Sequence, residues 1–118
     1  MSEAHPDAQR RYESLCRALL SDPAVTRESD ATQQRTGFGA SALKTDERIF
    51  AMLVRGRLVV KLSRHQVDAL VAAGEGERYD PGRGRLMKEW LTVTSQSQER
   101  WLELASEALE FAARRRAA

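Results

Sequence analysis

The residues best suited to chemistry are cations gathered in two segments. Residues 55–64 hold Arg55, Arg57, Lys61 and Arg64 with no acid, and residues 78–88 hold Arg78, Arg83, Arg85 and Lys88 against Asp80 alone. Charge is otherwise balanced, with a formal net of +2. Guanidinium groups grip oxyanions in a two-pronged fork, and intervening glycines let backbone N–H groups turn inward as a nest. The run Asp80-Pro81-Gly82-Arg83-Gly84-Arg85 contains both ingredients. It lacks the lysine-bearing signature of a nucleotide-hydrolysing phosphate loop and precedes a strand rather than a helix. The chemistry on offer is therefore binding of a small anion, although a hairpin turn with solvated arginines accounts for the same residues. Should the fold join the two segments, Arg57, Lys61, Arg64, Arg83, Arg85 and Lys88 form one electropositive surface for nucleic-acid phosphates or the carboxylates of an acidic protein.

Other chemistries find little purchase. The two histidines, His5 and His65, stand in no metal-ligand spacing, so neither a metal nor a cofactor is expected. Ser41, Ser63 and His65 come nearest to a nucleophile with its base, but there is no nucleophile elbow, and Ser63 serves better as a helix cap. Asp46-Glu47 and Asp80 with Glu89 are explained by turns and exposed strand faces. No catalytic residue is assigned and the chain reads as a non-enzyme. Cys16, the only cysteine, excludes an internal disulfide and falls on a helical apolar stripe as a small buried hydrophobe. No apolar run approaches the ~18 residues of a membrane span, and the polar N-terminus lacks a signal-peptide core. The cytoplasm is the expected compartment.

The elements that must position these side chains follow from periodicity. The length of 118 residues suits one domain, with residues 1–6 as a flexible tail. Tyr12, Leu15, Cys16, Leu19 and Leu20 mark a half-buried helix over 7–20, ended by Asp22-Pro23. Residues 21–36 read as a long polar loop. A strand is expected over 37–44, a turn at 45–47, a central strand at 49–54 and its returning partner at 58–62. Ser63-Arg64-His65-Gln66 is a capping box that opens a helix closed by Gly74. A short strand near 78–80 and a last strand over 86–93 precede a helix over 97–113, capped by Ser95 or Ser97. The fold class is α+β, a single antiparallel sheet packed against helices in the order α-β-β-β-α-(β)-β-α.

A two-residue turn at Arg55-Gly56 sets the hairpin register. Val54 then faces Arg57 and Leu53 faces Leu58, which gathers Ile49, Ala51, Leu53, Leu58, Val60 and Leu62 on one apolar face. The mixed face carries Phe50, Met52, Val54 and Val59 beside Arg57 and Lys61, a candidate homodimer or protein-interaction surface.

Residues 37–93 resemble the TfoX N-terminal domain and the related MmcQ/YjbR-like proteins. The likeness rests on Gly37-Phe38-Gly39, Ala42-Leu43-Lys44, Arg48 through Leu53, Leu58 through Leu62, and the stretch from Gly74 to Trp90 with its DPGRGR and MKEW runs. Gly37-Phe38-Gly39 only approximates the Met-Phe-Gly-Gly opening of many members. The resemblance implies an α+β fold, a regulatory role of the kind linked to competence, a DNA-binding tendency, and no catalytic residues to carry over.

Overall fold

The computed structural model describes residues 6–27, 42–46, 48–80 and 87–117. Among them are three helices and six strands: α1 (Pro6–Leu19), β1 (Val25–Arg27), β2 (Leu43–Thr45), β3 (Arg48–Val54), β4 (Arg57–Lys61), α2 (Arg64–Ala72), β5 (Gly76–Tyr79), β6 (Met87–Val93) and α3 (Gln98–Ala117). The strands form one antiparallel sheet in the order β1-β2-β3-β4-β6-β5, and the α+β class is as expected. Pro6, expected in a flexible tail, opens α1, where a missing N–H costs nothing. The expected loop over 21–36 contains β1, and its remainder from residue 28 lies outside the described residues, as do residues 37–41 of the expected strand.

The local signals act as chemistry requires. Both central residues of the β3–β4 turn have positive φ, 53° at Arg55 and 80° at Gly56, which matches the strands' twist. Val54 pairs with Arg57 and Leu53 with Leu58, the register that apolar patterning demands. The Ser63 hydroxyl accepts the Gln66 N–H at 3.2 Å while the Gln66 side chain accepts the Ser63 N–H at 3.3 Å, completing the capping box. At the other end of α2 the Gly74 N–H donates to Val71 O and the Glu75 N–H to Leu70 O, and Gly74 takes φ 79°. That pattern satisfies carbonyls the helix leaves orphaned. Ser97 caps α3, its hydroxyl accepting the Arg100 N–H at 3.3 Å.

All three helices serve one face of the sheet. α3 lies across β2, β3 and β4, α1 packs on α3, and α2 covers β5 and β6. One core runs from Ala8 of α1 through Leu58, Val60, Leu91 and Val93 of the sheet to Ala108 of α3. Trp101 is fully buried at its centre, with its ring N–H donating to Ser95 O at 2.6 Å.

The expected faces of β3 need one correction. Leu43 pairs with Ala51 but Lys44 pairs with Ile49, so Phe50 is an extra residue bulged against β2. A bulge lets two successive side chains share a side. Phe50 therefore joins Ala51 in the helix-side core, while Ile49, assigned to the core by strict alternation, is 36% exposed.

β5 presses against β6 with no room for a side chain at Gly76. A Cβ there would stand 2.6 Å from Leu91 Cδ1 and 2.9 Å from the Thr92 carbonyl oxygen. Because backbone is part of the obstacle, Gly76→Ala should destabilise the protein by about 1–3 kcal/mol in denaturant titration followed by circular dichroism. A loss near zero would mean that β5 moves freely against β6.

Candidate binding surface

Antiparallel pairing of β4 with β6 places Lys61 opposite Trp90 and Val59 opposite Thr92. These side chains lie on the sheet face away from the helices, because Val60, Leu91 and Val93 occupy the helix side. The Lys61 ammonium stands 5.8 Å from the centre of the Trp90 ring, a cation–π contact. A hydrogen bond from the Leu62 N–H to Glu89 O, 3.0 Å, carries the same register one step further. Lys88 lies just before Glu89 near the start of β6, and Arg64 opens α2 shortly after Lys61. Lys88 and Arg64 are exposed, and Lys61 and Trp90 are half-buried.

The structure thus brings three of the six expected cations to one end of the sheet, Lys61, Arg64 and Lys88, with the half-buried carboxylate Glu89 beside them. Arg57 lies at the opposite end of β4, about 13 Å along a strand of ordinary rise. It stands 4.0 Å from Glu77, both side chains more than half exposed, so the pair contributes little. Arg78, from the segment that also holds Lys88, turns to the helix side and pairs with Asp68 of α2. Arg83 and Arg85 lie outside the described residues, as does the DPGRGR turn beyond Asp80.

Between the two ends sits a second apolar cluster of Ala42, Met52, Val59 and Tyr79, with Val54 and Trp90 packed against it. Of the four residues expected to meet a partner, Phe50 is in the other core through the bulge, Val59 is fully buried and Met52 is 9% exposed. Val54 alone keeps substantial surface.

The Ser63 hydroxyl is engaged by Gln66. His65 is exposed beside Arg64, and Ser41 lies outside the described residues. Among the described residues no group of three or more His, Cys, Asp or Glu side chains could hold a metal ion, and no helix is long and apolar enough to cross a membrane.

The sequence reading missed two arrangements. One is Trp90 as the partner of Lys61: alternation along β6 directs Trp90 away from Leu91 and Val93, but the adjacency of β4 and β6 is nonlocal. The other joins α1 to β1. Arg27 forks onto Glu13, with distances of 2.9 and 2.7 Å. Beside them the Tyr12 and Cys16 side chains are fully buried. Burial pushes the Tyr12 hydroxyl above its ordinary range and the Cys16 thiol up to about 11. Hydrogen bonding to Arg27 holds the Glu13 carboxyl below the usual carboxylate range, against partial desolvation. No family model, curated protein or solved structure matches the chain.

A carboxyl whose folded pKa is depressed stabilises in full above its unfolded pKa and loses that contribution as pH falls through the folded value. Acid titration followed by circular dichroism should therefore show a destabilising step below the ordinary carboxylate range. Glu13→Gln should remove that step's Glu13 component and lower stability at neutral pH. An unchanged acid limb in Glu13→Gln would show that the fork is energetically idle.

Proposed function

We propose that the protein is a non-enzymatic binding module, regulatory in role, that holds an acidic partner, nucleic acid or protein, against the end of the sheet marked by Lys61, Arg64 and Lys88. The observation that carries this reading is the Lys61–Trp90 pair, an ammonium over a half-buried indole on the face away from the helices. Exposed lysine and arginine supply attraction to phosphate or carboxylate oxygens, and the ring supplies a flat surface for a base or an apolar side chain. The likeness of residues 37–93 to the TfoX N-terminal and YjbR-like proteins supports the same direction, and we propose that relationship as well. The same reading places the protein in the cytoplasm, where a lone thiol needs no partner.

The test is direct titration with single-stranded DNA, duplex DNA, RNA and an acidic peptide at low and physiological salt. Binding to one of these should weaken steeply with salt if phosphates or carboxylates are neutralised. Lys61→Ala should weaken binding and, for a nucleic acid, reduce the salt slope by about 1. Arg78→Ala, whose charge serves Asp68, should leave the slope unchanged. Trp90 fluorescence should respond while buried Trp101 reports on integrity. No binding of any of these at low salt removes the reading.

A further inference from the structure

β1 is a short strand at one edge of the sheet. It is three residues long and, among the described residues, pairs with β2 alone, through Val25–Thr45, Thr26–Lys44 and Arg27–Leu43. Val25 is its one buried side chain, and Thr26 is exposed. A tight turn joins it to α1: the Ala24 N–H donates to Asp22 Oδ1 at 2.9 Å and the Val25 N–H to Asp22 O at 3.0 Å. Beyond that turn, the Arg27 guanidinium spans the gap to α1 with both prongs on the Glu13 carboxylate. The pair keeps about a quarter and a third of its side-chain surface in water, at 25% and 36%, so solvent competes for it. Cys16, one turn along α1 from Glu13, is fully buried in the same core cluster as Val25 of β1.

We propose that the Arg27–Glu13 fork is a latch on β1, and that β1 releases as a local unit, uncovering Cys16 and leaving β2 as the sheet edge while the other five strands stay folded. Short edge elements with one buried side chain open below the global unfolding free energy. Here the Asp22 turn is the hinge and the fork is the fastening. The rest of the sheet is secured separately by α2 and α3, which pack on β2 through β6.

Because Cys16 is the only cysteine, its labelling by an aromatic disulfide reagent reads this opening at one position. Labelling rates are measured across a denaturant series in the native protein, Glu13→Gln, Arg27→Met and Gly76→Ala. The latch predicts a low-denaturant rate nearly independent of denaturant. It predicts an increase of about tenfold in Glu13→Gln and Arg27→Met, from loss of charge-assisted hydrogen bonds. Gly76→Ala, weakened at the far edge of the sheet, should keep the native low-denaturant rate. Labelling that follows global unfolding throughout, or that Glu13→Gln and Arg27→Met leave unchanged, overturns the proposal. If either variant fails to fold, amide exchange on the native protein decides. Faster exchange over residues 25–27 than over 58–60 supports the latch, and equal protection overturns it.

Discussion

The structure depends on α3 lying flat across the middle of the sheet. Trp101, Leu104, Ala105 and Ala108 are buried along one stripe of that helix. The alanines permit close approach to β3 and β4, and the indole fills the volume between sheet, α1 and helix. Burying the indole requires a partner for its N–H, which Ser95 O provides just before the helix begins. The loop leading into α3 is thereby fixed by the core itself. α1 then has a surface to pack on, and Arg11 closes the seam with its guanidinium 5.1 Å from the centre of the Trp101 ring.

Electrostatics divides the two sheet faces. On the helix side, charges tie elements together: Arg27 to Glu13, Arg78 to Asp68, and Arg100 to Glu75. Each pair is partly exposed, so its worth lies in positioning more than in stability. On the opposite face Arg57 stands 4.0 Å from Glu77 with both side chains well exposed, and the Lys61 contact is with a ring. A cation over an indole keeps its charge, whereas a cation on a carboxylate is neutralised, and that difference leaves a positive charge at the Lys61 end of the sheet.

The bulge at Phe50 shows how one residue redistributes surface. It takes a large aromatic out of the second cluster and gives it to the helix-side core, and it turns Ile49 outward. An apolar face drawn by alternation along β3 would have been richer than the one the molecule has. What remains is a compact cluster around Met52 and Val59, with Trp90 at its edge.

Where information is local, the residues alone were decisive. The capping box at Ser63–Gln66, the Gly74 stop, the Arg55-Gly56 turn and its register follow from interactions within a few residues, and the α+β class follows from the periods of the segments. Setting Lys61 over Trp90, sending Arg78 to Asp68, bulging Phe50, and joining Arg27 to Glu13 were settled by tertiary structure. Each depends on which strands become neighbours and how helices cover them. Strand order and bulges are fixed by packing across the whole core, a sum of nonlocal contacts that no short window of sequence contains.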